Sequence, residues 1–274
     1  MKLAHIINPV AVQESSDLFI AQPITFETMK FAQKIARDGD IDVDLYSSQF
    51  SEDNSIVPEG FFKTPDLERS VLDIADFQIK RKLPLIQDIL DSLYKATDAN
   101  YFIYTNADIA LMPNFYISVT KIIEQGYDAF IINRRTISKN YTKVEDIPLM
   151  YALVGENHPG HDCFIFKRSA YSKYKFYCEC IGTPPIGKAL AVNLISNANK
   201  FEEFKDLHLT FHLGDDKSWF KDSLNDYMIY NIEEFEKIIK YYTEIGQLPE
   251  HSLIVSSLER LHKRLHKLKL SFTE

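Results

Sequence analysis

The chain has 274 residues, 45% of them hydrophobic, which is enough for one large α/β domain or a domain with an appendage. Its formal net charge of −8 argues against a general nucleic-acid binder, because little on its surface would offset phosphate repulsion. Three cysteines, an odd number, do not build a disulfide framework and suit a reducing compartment. The first nine residues lack a signal-peptide pattern, and no run approaches the ~20 apolar residues that cross a bilayer. We therefore expect a cytoplasmic protein.

The first third of the chain begins with an apolar run that predicts a buried strand at Leu3–Ile7, where Asn8-Pro9 ends the ladder. A helical pattern starts at Thr25 and ends at Gly39. Val43–Tyr46 is the predicted second strand. Residues 47–65 have turn residues and no period, which indicates a long loop.

Helices and strands continue to alternate further along the chain. The predicted elements are a helix from Pro84, a strand at Tyr101–Tyr104, a helix from Asn114 to Gly126, and short strands at Ala129–Ile132 and Cys163–Phe166. This alternation predicts an open, mostly parallel α/β sheet flanked by helices.

The last 22 residues carry a helical apolar stripe surrounded by basic side chains. The stripe consists of Ile254, Leu258, Leu261, Leu265, Leu268 and Phe272. Three interpretations stay open: packing on its own domain, docking on an acidic membrane surface, and pairing with another chain. We predict one domain over residues 1–230 and a C-terminal helical extension over residues 231–274.

The strand at Tyr101–Tyr104 runs directly into Asn106-Ala107-Asp108. In open α/β sheets, ligands bind just beyond the carboxyl ends of the strands. With one residue between them, the side chains of Asn106 and Asp108 can face the same crevice and hold a divalent cation, which can hold a diphosphate. A polar turn that ends a buried strand explains the same residues equally well.

The order of the motifs resembles that of nucleotide-sugar transferases with the GT-A fold, over roughly residues 1–220. The matching parts are an early strand ending at Asn8, a variant Asp-x-Asp motif at Asn106–Asp108, a Gly-x-Asp loop at Gly160–Asp162, and a late histidine at His212. The departure is Asn106, where the usual motif begins with an acid.

The resemblance implies a metal-dependent glycosyltransferase. Asp108 and His212 would bind Mn²⁺ or Mg²⁺, whose charge neutralises the diphosphate leaving group. Asn106 would supply a neutral oxygen or a hydrogen bond to the ribose, and Asn8 would contact the substrate.

Asp162 is the candidate general base, because sugar transfer with inversion needs a carboxylate that takes the proton of the acceptor hydroxyl. In a retaining reaction Asp162 would hold the donor sugar instead, and a purely structural role would be to cap a turn before the next strand. His158 and Gly160, in the same predicted loop, are candidate substrate contacts.

Three further residues are candidate substrate contacts. Arg134 and Arg135 follow the strand at Ala129–Ile132, and guanidinium groups form matched bidentate bonds with phosphate or carboxylate. A surface pair is the alternative. Trp219, which follows the His212 segment, has the shape to stack on a sugar ring, although core packing is its default role.

The expected partners are a nucleotide-sugar donor and a glycan or lipid-linked acceptor, with no nucleic acid. The basic C-terminal helix would place the protein at the inner face of a membrane or let it self-associate. One alternative is a nucleotidyltransferase that makes the activated sugar, but residues 8–16 lack the glycine-rich phosphate loop of that class. The other is a non-catalytic binding or scaffold protein, which Asn106 keeps open.

Overall fold

The computed structural model describes residues 1–214 and 224–250. The chain divides into two compact units. Among the described residues, the first unit contains 1–67, 91–172 and 198–214, and the second contains 68–90, 173–197 and 224–250.

The first unit is built on one nine-stranded sheet. The strands are β1 (Lys2–Ile7), β2 (Asp42–Ser47), β3 (Phe62–Lys63), β4 (Tyr101–Thr105), β5 (Ala110–Leu111), β6 (Ala129–Ile137), β7 (Glu156–Lys167), β8 (Phe201–Phe204) and β9 (Thr210–Leu213). Their order is β3-β2-β1-β4-β7-β6-β9-β5, and β8 lies beside β6.

The helices of the described residues complete the α/β pattern. They are α1 (Asp17–Asp38), α2 (Ile86–Ala96), α3 (Phe115–Glu124), α4 (Ile147–Tyr151), α5 (Arg168–Tyr171), α6 (Ile186–Asn197) and α7 (Asn225–Glu244). The predicted α/β class with a mostly parallel sheet is confirmed. Parallel pairs are β1 with β2 and β4, β2 with β3, and β6 with β8 and β9.

Strand β7 sets the geometry of the centre of the sheet. It is antiparallel to both of its neighbours, β4 and β6, so those two strands run in the same direction. The carboxyl ends of β4 and β6 therefore lie at the same edge of the sheet, which is the edge where ligands bind in α/β folds.

Apolar side chains hold each unit together. In the first unit, α1 and α3 pack on the sheet through buried residues such as Met29, Val119 and Ile165. A second cluster in that unit joins α1, β5, β9 and α4, and it includes Ile24, Phe211 and others. The second unit has a smaller core. It contains Val71, Phe77, Leu85, Cys180, Leu224 and Tyr227.

Three local predictions need correction. Helix α1 begins at Asp17, not at Thr25, because Ser16 caps it by accepting a 3.3 Å hydrogen bond from the amide of Leu18. The predicted loop over residues 47–65 contains a 3₁₀ turn at Ser51–Ile56 and strand β3. The predicted Gly160–Asp162 loop lies inside β7, where ladder pairing with β6 overrides the turn signal of Pro159-Gly160.

Two predictions concern the C-terminal part of the chain. The expected boundary between residues 230 and 231 falls inside helix α7. The apolar stripe from Ile254 to Phe272 lies outside the described residues. Across residues 1–214 and 224–250, no helix combines the length and the apolar character needed to span a bilayer.

Candidate active site

Short strands at the binding edge bring the late histidine to the variant motif. Strand β4 ends at Thr105, the chain turns through Asn106–Asp108, and β5 then pairs antiparallel with β9. In this pairing Ala110 lies opposite Phe211, so His212 is placed beside the turn that carries Asp108. The two predicted metal ligands therefore lie side by side, although β5 and β9 are far apart in the sequence.

The hydrogen-bond partner of His212 Nδ1 shows that this nitrogen is protonated. Its Nδ1 lies 2.7 Å from the carbonyl oxygen of Gly214, and a carbonyl only accepts, so Nδ1 carries a proton. Its Nε2 lies 3.3 Å from Oδ2 of Asp108. Without a cation, Nε2 must also be protonated to donate to Asp108; with a cation, its lone pair can act as a ligand.

Each member of this pair shifts the pKa of the other. For Asp108, burial raises the pKa, but the hydrogen bond and charge of His212 and the charge of Arg134 outweigh it, so the pKa is lowered. For His212, burial lowers the pKa, but the hydrogen bond and charge of Asp108 outweigh it, so the pKa is raised. Both shifts favour the charged forms, an imidazolium beside a carboxylate, in the metal-free pair.

Asp108 and His212 fit a divalent cation that takes most of its ligands from phosphate and water. Oδ1 of Asp108 is buried and, within the described part of the chain, has no hydrogen-bond partner. Such an orphaned anionic oxygen is expected where a cation binds. The same part of the chain holds no group of three or more His, Cys, Asp or Glu side chains arranged for a metal. Mg²⁺-type sites accept one or two protein ligands when phosphate oxygens and water supply the rest.

Asp162 lies next to the pair, on β7, and is only 8% exposed. Its Oδ2 accepts a short hydrogen bond from Arg134 of β6, and its Oδ1 accepts from the amide Nδ2 of Asn106 at 3.1 Å. The amide N–H of Asn106 also donates to the carbonyl of Asp162 at 3.3 Å. The carboxylate is therefore held in one orientation from two sides.

The hydrogen bond from Asn106 to Asp162 gives a physical reason for an amide at position 106. An aspartate at position 106 would set two carboxylates about 3 Å apart in a buried place, where like charges repel strongly. An amide gives the same shape with a donor in place of the second negative charge. Asn106 is thus matched to Asp162 across strands β4 and β7.

The two arginines lie inside β6, which runs to Ile137 and does not end at Ile132 as predicted, and their surroundings differ. Arg134 lies at Asp162 and its charge acts on Asp108 and His212. Arg135 donates to the carbonyl oxygens of Val154 and Gly155 and pairs with Asp206 at 2.7 Å. The structure thus brings Arg134, but not Arg135, to Asp108, and a substrate contact by Arg135 stays a prediction.

The first half of β7 carries three predicted site residues at alternate positions. His158 and Asp162 both approach Gly160, although the pairing of β7 with β6 is irregular over this stretch. The amide of Gly160 donates to Nδ1 of His158 at 2.9 Å. A Cβ at Gly160 would lie 2.7 Å from both Oδ2 of Asp162 and Nδ1 of His158, so only glycine permits this close approach. The Nε2 of His161 meets Oε1 of Glu203 at 3.0 Å.

Asn8 lies at the same edge of the sheet but has a local partner. Its Nδ2 donates to the carbonyl oxygen of Ser48 at 2.5 Å, which ties the ends of β1 and β2 together. The following loop is fixed by Gln22, whose side chain bonds both the amide and the carbonyl of Val10. The substrate contact predicted for Asn8 stays a prediction. Trp219 lies outside the described residues.

Sequence reasoning did not identify a cleft that opens beside Asp108 and His212. Asp17 in the first turn of α1, and Lys139 and Tyr141 after β6, line this cleft. None of the three belongs to a recognisable motif. For Lys139 and Tyr141 the sequence gives one indication, which is that they follow a strand that runs to the binding edge. For Asp17 it gives none.

Solved structures of low sequence identity resemble this chain. A mycobacterial protein aligns with a TM-score of 0.51 and 10% identity, over 86% of this chain and 75% of that one. Glucosyl-3-phosphoglycerate synthase of M. tuberculosis gives 0.48 and 10%, over 91% and 82%. TarS of S. aureus, solved in complex with UDP-GlcNAc, gives 0.47 and 8%, over 85% of this chain and 66% of that one.

The chain covers 66% or less of the TarS chains that it resembles. No protein-family model matches it, and no curated protein matches it in sequence. The α/β fold that the resemblance to GT-A transferases implied is confirmed by the likeness to the mycobacterial protein, and at 10% identity that likeness concerns the fold alone.

Proposed function

We propose that the chain is a glycosyltransferase that moves a sugar from a nucleoside diphosphate donor to a hydroxyl of a glycan or lipid-linked acceptor. The observation that carries the proposal is the pair of Asp108 and His212 at the binding edge, with Oδ2 and Nε2 3.3 Å apart and Oδ1 of Asp108 buried without a partner among the described residues. A carboxylate and an imidazole so placed suit a divalent cation that also takes phosphate oxygens.

Mn²⁺ or Mg²⁺ held by Asp108 and His212 would offset the charge of the leaving diphosphate. The residues of the chain then have separate tasks. Gly214 fixes the imidazole through Nδ1, so Nε2 faces Asp108. Arg134 adds a positive charge close to both ligands, and it holds Asp162 in place.

Asp162 remains our candidate for the residue that faces the reacting sugar. In an inverting reaction its carboxylate takes the proton of the acceptor hydroxyl, and in a retaining reaction it holds the donor sugar. NMR of the anomeric configuration of the product separates the two. Replacement of Asp162 by Asn should lower kcat strongly if Asp162 is the base, and should mainly raise KM for the donor if it holds the sugar.

Calorimetry with UDP in the presence and absence of Mn²⁺ tests the proposal. UDP is the first probe because a UDP-sugar is present in the TarS complex. We expect binding that requires the metal, and loss of that binding in Asp108→Ala. Asp98→Ala, which removes an exposed aspartate elsewhere in the first unit, is the matched control. If wild-type protein bound neither UDP nor other nucleoside diphosphates with Mn²⁺, a scaffold role would replace this proposal.

We also propose that residues 253–274 dock the protein on an acidic membrane surface or on another copy. The apolar stripe with basic flanks is the feature that supports this. Deletion of these residues should abolish flotation with anionic vesicles or shift the elution volume in size-exclusion chromatography. Unchanged behaviour in both assays would rule the proposal out.

A further inference from the structure

The described residues give the cleft beside Asp108 and His212 mainly apolar walls. Leu18, Ile20 and Ala21 of α1 form one wall, with Leu213 and Tyr141. Among the described residues, the charged groups that line it, apart from the Asp108–His212 pair, are Asp17 and Lys139. A cleft of this kind holds a small molecule by contact with its apolar walls and orients it by its few polar groups.

The stem of Lys139 lies against the segment that carries His212. The amide of Gly214 donates to the carbonyl of Ile137 at 2.8 Å, so the chain at 214 runs beside the chain at 137–139. Gly214 has φ +70°, and a Cβ there would lie 2.3 Å and 2.4 Å from Cε and Cγ of Lys139. The lysine methylenes therefore cross Gly214, the same residue whose carbonyl orients the imidazole of His212.

We propose that Lys139 binds a phosphate group in this cleft, next to the cation site. The inference rests on the proposed function and names a residue of the same site. A lysine ammonium is a compact charge that suits phosphate, and Lys139 is an exposed residue whose stem lies against Gly214. Asp17 and Asp108 both repel an anion here; a bound cation would offset the charge of Asp108, and Lys139 adds a positive charge to the same cleft.

Two ligands present this chemistry to Lys139: the diphosphate of the donor, and the phosphate of a lipid-linked acceptor. The variant Lys139→Gln removes the charge and keeps most of the stem. Lys143→Gln is the matched control, because Lys143 is an exposed lysine in the same connection after β6. Lys139→Arg keeps the charge and tests whether charge alone is required.

The experiment is calorimetry of the full chain with Mn²⁺ and three probes: UDP, uridine and geranyl phosphate. If the donor supplies the phosphate, Lys139→Gln should weaken UDP binding about tenfold, while Lys139→Arg restores most of it and uridine binding is unchanged. If the acceptor supplies it, UDP binding stays constant and geranyl phosphate binding falls about tenfold.

Unchanged binding of UDP and geranyl phosphate in Lys139→Gln would overturn the inference, and so would an equal loss in Lys143→Gln. The proposed function is judged separately, by wild-type binding of UDP with Mn²⁺. If wild type bound UDP, and Lys139→Gln bound UDP and geranyl phosphate as tightly as wild type, the proposed function would stand. Lys139 would then not be part of the site.

Discussion

The Nε2 atom of His212 lies 3.3 Å from Oδ2 of Asp108, although 104 residues separate them in the chain. The contact exists because β9 reaches back to pair with β5, directly after the turn that carries Asp108. It can be tested in the metal-free protein, without any substrate.

The first prediction concerns the pH dependence of this pair. The pKa of His212 is raised from 6.5, so its stabilising contribution is complete below pH 6.5 and is lost as pH rises through the raised pKa. The pKa of Asp108 is lowered from 3.8, so its contribution is complete above pH 3.8 and is lost as pH falls through the lowered pKa. The pair should therefore stabilise the fold most between pH 3.8 and 6.5.

Urea unfolding of wild type and His212→Gln at pH 5, 7 and 9 checks this window. The difference in the free energy of unfolding should be largest at pH 5 and should shrink toward pH 9. NMR titration of His212 in Asp108→Asn should give a lower pKa than in wild type. A difference that grew with pH would show that the two side chains do not form an ion pair.

The second prediction compares two carboxylates that pair with arginine. Asp162 and Arg134 have side chains 12% and 11% exposed, whereas Asp206, the partner of Arg135, is 74% exposed. Asp162→Asn removes the anion that faces a buried guanidinium and should cost about 3–5 kcal/mol of unfolding free energy. Asp206→Asn should cost no more than about 1 kcal/mol. Equal costs in chemical denaturation would contradict the burial seen here.

The third prediction concerns two glycines with positive φ. Gly126 has φ +90° and open space where a Cβ would go, and Gly155 has φ +65° with the backbone oxygen of Thr136 2.6 Å from that position. Both alanine variants should lose about 1–2 kcal/mol for the left-handed conformation.

Only Gly155→Ala meets a further backbone clash, so its loss in thermal unfolding should be clearly the larger of the two. The turn at Gly155 also accepts a hydrogen bond from Arg135. A smaller loss in Gly155→Ala than in Gly126→Ala would mean that a Cβ at Gly155 does not clash with the backbone of Thr136.

The fourth prediction concerns His5, which is fully buried in β1. Its ring nitrogens lie 2.8 Å from the hydroxyl of Tyr116 and 2.9 Å from that of Thr105, and burial lowers its pKa to about 3. Between pH 6.5 and about 3 the unfolded chain binds a proton that the folded protein does not. Stability should therefore fall toward acid by up to about 1.4 kcal/mol per pH unit.

His5→Gln should flatten this slope, as measured by urea unfolding between pH 6 and 4. The direction is opposite to that of His212, so the two histidines can be told apart by the sign of the effect. An unchanged slope in the variant would mean that His5 takes up a proton in the folded state.

Much of the sheet could be predicted because its strands are continuous apolar runs. Leu3–Ile7 and Tyr101–Tyr104 lie within β1 and β4, and the runs are short, as buried strands are. The start of α1 was missed because Pro23 interrupts the helical pattern inside the helix. The strand character of residues 156–162 was missed because His158-Pro-Gly-His has the composition of a turn.

The motifs identified Asp108, His212, Asn106 and Asp162, and the structure places these four near one another. No local sequence pattern predicts the strand pairings, β4 with β7 and β5 with β9, that bring them together. The hydrogen bond from Asn106 to Asp162 depends on β7 lying antiparallel to β4, which no local pattern specifies. Lys139 depends on the approach of residue 214 to the end of β6, a contact across more than seventy residues of chain.

Strand β7 lies between β4 and β6 but follows both of them in the chain. A nascent polypeptide that has emerged only as far as residue 155 therefore exposes the backbone groups of two central strands with nothing to cover them. Such open edges are templates for intermolecular pairing. Residues 156–167 must be synthesised before β4 and β6 can pair with β7. An amino-terminal fragment that ends before β7 will therefore aggregate when expressed alone.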